Sequence, residues 1–361
     1  MVYLREAKNK KQKIIFLKQV LFSIFYFLFL FRSEAQDPHF TQFYNQPLYV
    51  NPAFAGINDG IKVGALYRNL WTKVPSKFNT FNVAAEMQNL NIGGGLGFIA
   101  GSDVEGEGFL RTLNFGAIYQ YRIIIDPRNF IIQAGIQTSF FTQSIDWNKL
   151  VFSDQLDAVQ GLVNPTTTSA TPPPISSKSF VDFDGGALAR FNLKHHHRKS
   201  TVATGTLGFA VHHMAQPEQS LLNENARLPY KLSVHGGLVI PYKIPGSNSK
   251  NVIAPSFLYE KQDLFQETIF GLNVMKEPFY AGVWYRNRNA PFAKNTDAII
   301  ANLGFMTKYD KNSEIRFGYA YDITINNLRG FAPGTNEITI SISYGEKHAH
   351  GNKKKQECYT F

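Results

Sequence analysis

The side chains best suited to chemistry are histidines. His195-His196-His197 run consecutively, and His212-His213 follow about one strand later. A metal site needs ligands converging at about 2 Å, usually from different backbone origins and held by further hydrogen bonds. Three consecutive side chains cannot all point one way from an extended chain. With Lys194, Arg198 and Lys199 around them, they read as a solvated basic turn, so no metal and no cofactor is expected. Gly93-Gly94-Gly95 with Gly97 lacks the lysine and the strand-to-helix setting of a phosphate loop. Asp103, Glu105 and Glu107 share one short stretch without the fixed spacing of a calcium loop. There is no Gly-x-Ser-x-Gly elbow. The chain is expected not to be an enzyme.

The elements that would position such groups are constrained by composition. Of 361 residues, 44% are hydrophobic, 18% charged and 14% aromatic, with 31 Phe and 17 Tyr. This is too apolar for disorder. The single cysteine, Cys358, excludes a disulfide framework, a zinc ribbon and an iron–sulfur site. The net charge of +10 sits mainly at the two ends, seven Lys/Arg against two Glu lying within residues 1–35. A nucleic-acid face is therefore not expected.

Residues 1–35 read as a secretory signal. A basic stretch through Lys18 precedes the apolar run Val20 to Phe31, and Ser33 and Ala35 stand at the −3 and −1 positions of a cleavage site. The run is shorter than the roughly 18 to 20 residues a membrane helix needs. No cysteine follows it, which excludes a lipoprotein signal. The mature chain is expected to start near Gln36 and holds no second long apolar stretch, leaving a soluble exported protein or an outer-membrane barrel.

The body alternates with period two, the strand period. Ile315, Phe317, Tyr319, Tyr321, Ile323 and Ile325 are interleaved with Arg316, Gly318, Ala320, Asp322 and Thr324. About 14 such segments are expected, near 61–69, 79–88, 92–101, 109–124, 129–146, 177–192, 201–216, 231–242, 251–262, 264–276, 279–288, 297–310, 313–325 and 335–345. Long connections such as 147–176, which holds a Thr/Pro-rich stretch from Asn164, and 217–230 mostly alternate with short ones such as 125–128 and 277–278. That sorting suits a transmembrane barrel, with extracellular loops and periplasmic turns, better than a soluble sandwich. The fold class is thus all-β: a transmembrane antiparallel β-barrel of about 14 strands, both termini periplasmic. Its parts are a signal peptide (1–35), an N-terminal periplasmic or plug segment (36–60), an outer-membrane barrel (61–345) and a basic periplasmic tail (346–361). Asn51-Pro52 reads as a rigid turn.

Several stretches resemble a known family. Gln36-Asp37-Pro38-His39-Phe40-Thr41-Gln42-Phe43-Tyr44 and Asn51-Pro52-Ala53-Phe54-Ala55-Gly56 are similar to the mature start of PorP/SprF-type proteins of the Bacteroidetes. Tyr67-Arg68-Asn69-Leu70-Trp71 resembles the element that follows, with Leu70 where glutamine is usual. Asp146-Trp147 with Phe152-Ser153-Asp154-Gln155 resembles the middle motif. Gly318-Tyr319-Ala320-Tyr321-Asp322 and Asn336-Glu337-Ile338 resemble the closing hairpin, and Cys358-Tyr359-Thr360-Phe361 the terminus. The resemblance implies a type IX secretion component in the cell outer membrane that exports or anchors a large secreted surface protein, an adhesin, and in gliding species serves motility. The partners it implies are that surface protein's C-terminal sorting domain, other secretion components and outer-membrane lipid. Asn51, Pro52, Phe54, Gly56, Arg68 and Trp71 are the motif residues that could meet a partner or plug the lumen. For Arg68 and Trp71, anchoring of strand ends at the membrane interface is the plainer expectation. The alternative function is an outer-membrane channel or transporter for small apolar solutes.

Overall fold

Alternation puts one row of every strand on each face of a sheet, and closing that sheet leaves no unpaired edge. In a computed structural model the chain does close. The structure describes residues 37–345 apart from 59, 72–76, 107–109, 128, 153–154, 157–175, 195–200, 222–225, 244–250, 289–295, 311, 328 and 331–333. The expected signal peptide, Glu107, the Thr/Pro-rich stretch, the histidine run 195–197 and the tail with Cys358 lie outside the described residues.

Fourteen antiparallel strands form one closed barrel, each paired with its sequence neighbours. The first seven are β1 (Ile61–Asn69), β2 (Lys77–Asn89), β3 (Gly94–Gly106), β4 (Leu110–Asp126), β5 (Phe130–Ser144), β6 (Ser177–Lys194) and β7 (Thr201–His212). The second seven are β8 (Lys231–Tyr242), β9 (Asn251–Gln262), β10 (Phe265–Lys276), β11 (Phe279–Arg288), β12 (Thr296–Lys308), β13 (Ser313–Thr324) and β14 (Gly334–Tyr344). β1 and β14 close the seam in register from Ile61↔Tyr344 to Asn69↔Asn336. Four strands coincide with their expected bounds. β7 ends at His212 rather than continuing to 216, because His213 takes a left-handed φ of 59° that turns the chain.

Which face is apolar separates a membrane barrel from a soluble one. Leu303 is 64% exposed while Asn302 beside it is 2% exposed, and Ile338 is 53% exposed beside Glu337 at 0%. The outside is therefore the apolar face and the polar row points into the lumen, the inverse of a soluble sandwich. Exposed Tyr121, Phe279 and Tyr344 stand toward one end of the barrel and Tyr67 and Phe81 toward the other, as aromatic girdles do. Among the described residues no helix is long and apolar enough to cross a membrane.

The even strand number brings the start of β1 and the end of β14 to one mouth, here the near mouth. β5 ends and β6 starts at the far mouth, and β7 ends and β8 starts there too, so the connections 145–176 and 213–230 leave from that mouth. The segment before β1 runs back through the lumen, so His39 lies at the far mouth beside Arg68 near the end of β1. Gly56 lies at the near mouth beside Glu86 near the end of β2. The core accordingly sits inside the barrel. Leu48, Ala53, Phe54, Ala55 and Ile57 pack on Ala84, Ile99, Ile118 and Leu188, and Phe43, Tyr44 and Val50 pack on Leu258, Ile269, Trp284 and Ile300.

Candidate functional site

Residues 38–57 lie inside the barrel, bonded to strands around its wall. Two prolines organise this segment locally, since proline is pre-set for the first position of a helical turn. Pro47 opens a single α-turn, Pro47–Val50, and Pro52 opens a 3₁₀ turn, Pro52–Phe54. Asn51 caps the second turn, its Oδ1 accepting from the Ala53 N–H at 2.8 Å. The same side chain donates through Nδ2 to the Ala187 and Phe209 carbonyls, at 3.1 and 3.0 Å, and lies 3.0 Å from His235 Nε2. Asn51 thus ties the segment to β6, β7 and β8 at once.

This close approach needs bare backbone on the wall. A Cβ on Gly186 would stand 2.2 Å from Asn51 Oδ1, one on Gly135 would stand 2.4 Å from the Ala53 nitrogen, and one on Gly95 would stand 2.3 Å from the Ala55 carbonyl. Three strands therefore use glycine where the Asn-Pro-Ala-Phe-Ala-Gly element lies flush against them. Phe54 is buried, its ring 5.0 Å from that of His235. Gly56, at φ 66°, donates its N–H to Glu86 at 3.0 Å and accepts from Arg122 at 2.8 Å.

At the far mouth the segment is held by charge. Glu337 accepts from the successive N–H groups of Thr41 and Gln42, at 2.9 and 2.6 Å. Arg68 donates to Glu337 at 2.9 Å, to Asp322 at 3.1 Å and to the Thr41 hydroxyl at 2.5 Å. Arg286 bridges Asp297 at 2.6 Å and Asp322 at 2.7 Å. Such charge-assisted bonds are the strong kind, and burial makes each pair dependent on its partner. His39 stands 3.3 Å from both Arg68 and Arg288. Burial first, then the neighbouring Arg68, Arg286, Arg288 and Lys231, holds its imidazole well below the usual histidine range. Tyr44 is stacked on Trp284 at 5.1 Å.

Of the six motif residues, the structure brings Asn51, Pro52, Phe54, Gly56 and Arg68 onto the lumen segment or its seat. Arg68 is not an interfacial anchor, because its side chain is buried among acids inside the barrel. Trp71 stands apart at the far mouth, half-buried, edge-on to Phe78 at 5.4 Å. Sequence reasoning missed Arg286, Asp297, Glu86 and Arg122 as seat residues. Their signal was a charge on the inward row of an otherwise alternating strand. Asp322 and Glu337 appeared as parts of the closing motif, and His39, Thr41 and Gln42 as parts of the opening one. The fold joins those distant stretches.

Among solved structures the chain has distant likenesses to outer-membrane proteins. The chain is similar to the CymD monoaromatic hydrocarbon channel at 11% identity and a TM-score of 0.43, covering 85% of this chain and 94% of that one. It is similar to the toluene transporter TbuX of Ralstonia pickettii at 9% identity and a TM-score of 0.46, covering 83% and 92%. For the outer membrane protein Omp33 of Acinetobacter baumannii the values are 7%, 0.39, 81% and 100%. No curated protein matches the chain in sequence. The model of the type IX secretion system membrane protein PorP/SprF family matches residues 32–342, nearly the whole of this closed, apolar-faced barrel, and the chain is an outer-membrane protein that belongs to that family.

Proposed function

We propose that this barrel is a non-enzymatic anchor that holds a large secreted surface protein at the cell surface through that protein's C-terminal sorting domain. Family membership implies work alongside other type IX secretion components. The observation that favours anchoring over passage through the lumen is the lumen segment itself. Residues 38–57 occupy the interior from one mouth to the other and bond to strands around the wall. Cargo would then be held outside the lumen, on the far-mouth loops 145–176 and 213–230. The test is a detergent pull-down of the tagged protein from its native outer membrane with mass spectrometry. Recovery of a large secreted protein bearing a sorting domain supports the reading and names the cargo, and a lone folded barrel refutes it.

A channel for small apolar solutes is favoured by one observation. The β8–β9 ladder lapses between Gly237↔Ser256 and Ile240↔Ile253, where Pro255 has no N–H to give. An apolar groove outside and a cavity inside share Gly236, Gly237 and Leu238 as their wall. Uptake of an apolar solute by intact cells, lost on deleting the gene, would establish that reading instead.

A further inference from the structure

Asp182 and Asp184 lie two apart on β6, so both face the lumen. The corner after β7 brings His212 and His213 against them. Alternation alone would point these two histidines to opposite faces. The left-handed φ of 59° at His213 lets both reach the acids. His213 Nδ1 is 2.5 Å from Asp182 Oδ2, and His212 Nδ1 is 3.6 Å from Asp184 Oδ1. One ligand atom each from Asp182, Asp184 and His213 falls within 4.8 Å of the others, and all three residues are buried.

The surroundings hold these groups in place. Gln137 donates to Asp184 at 2.8 Å, the His213 N–H donates to Asp184 at 3.0 Å and the Ala215 N–H to Asp182 at 3.4 Å. His212 Nε2 lies 3.1 Å from the Val50 carbonyl, linking the cluster to the lumen segment. Asp322 and Glu337 at the far mouth are neutralised by arginine, whereas the ion pairs of Asp182 and Asp184 run to imidazole. Two buried carboxylates need compensating charge, and one dication bound between them would supply it.

We propose that Asp182, Asp184 and His213 form a binding site for one divalent transition cation, with zinc the best fit to two carboxylate oxygens and one imidazole nitrogen. His213 would bind through Nδ1 as the neutral Nε2–H tautomer, the proton now between Nδ1 and Asp182 being displaced, and the two atoms would part to admit an ion about 2 Å from each. The ion would clamp β6 to the β7 corner behind Val50. The expectation of no metal site weighed the histidines and the acidic stretch 103–107 separately, and Asp182 and Asp184 lie about 30 residues before His212 and His213.

The test is calorimetric titration of zinc into the full chain, purified in detergent and stripped with chelator. One zinc per chain is expected, retained in the triple variant H195A/H196A/H197A and weakened about tenfold or more in D182N and in H213Q. Heat-modifiable migration on gels verifies that each variant barrel is folded. Cobalt added to the stripped parent protein should give a visible absorption band, a readout that needs no variant. Absence of stoichiometric zinc binding, unchanged affinity in folded D182N and H213Q, or loss in the triple variant would each overturn the site, as would a cobalt spectrum identical to that in buffer.

Discussion

Arg68 on β1 and Glu337 on β14 are register partners across the seam where the barrel closes, and their side chains pair at 2.9 Å inside the lumen. The same Glu337 carboxylate accepts the N–H groups of Thr41 and Gln42. One pair of residues therefore links the closing seam to the seat of the lumen segment.

Removing one member of a buried, paired set strands its partners, which costs about 3 to 5 kcal/mol. Arg68→Ala should accordingly lower the temperature at which the barrel loses its compact gel migration, because Glu337 loses its cation and Asp322 keeps only Arg286. Trp71→Ala, at a half-buried loop position away from the lumen, should change stability by less than about 1 kcal/mol. Equal effects of the two substitutions would refute the division between seat and rim.

The glycine cradle makes a prediction about access rather than folding. Gly135→Ala or Gly186→Ala places a methyl inside contact distance of Ala53 or Asn51, an overpacking of about 1 to 3 kcal/mol. The lumen segment should yield before the closed sheet does, since fewer bonds hold it. Ion conductance in planar bilayers should rise and residues 38–57 should become cleavable by protease. If both variants stay as closed as the parent, the segment is not seated through those glycines.

Acid should loosen the far-mouth end of the segment. His39 faces Arg68, Arg286, Arg288, Lys231 and Glu267, and its pKa in the folded chain lies well below 6.5. Once the segment leaves the lumen, the imidazole takes up a proton near pH 6.5. The seat is thus fully stable above that pH and weakens as pH falls below it, by at most about 1.4 kcal/mol per unit. Protease sensitivity of residues 38–57 should rise between pH 7.5 and 5.5, and His39→Gln should flatten the part of that rise owed to His39. An identical pH profile in the two proteins would assign the response elsewhere.

Deleting Gln36–Gly56 should leave insertion intact, because every strand and the β1–β14 seam are retained. It should open a polar lumen to ions and impair surface delivery of the partner. Normal delivery by an open, correctly inserted barrel would remove the segment from the function proposed above.

The strands were legible because their information is local. A two-residue period names both faces of a strand without knowing its neighbours, and β1, β8, β9 and β11 fall where the alternation puts them. Loop sorting and the apolar row identified a barrel for the same reason. Much of the site was not legible. Thr41, Arg68, Arg286, Asp322 and Glu337 are spread over almost 300 positions and meet because closure brings β14 beside β1. Asp184 meets His213 because one left-handed residue ends the alternation. By itself the sequence determined the strands, their two faces and the membrane as solvent. Only the tertiary structure decided which segment lies in the lumen and which strands hold it, since a charge on an inward row does not reveal its partner until the sheet is closed.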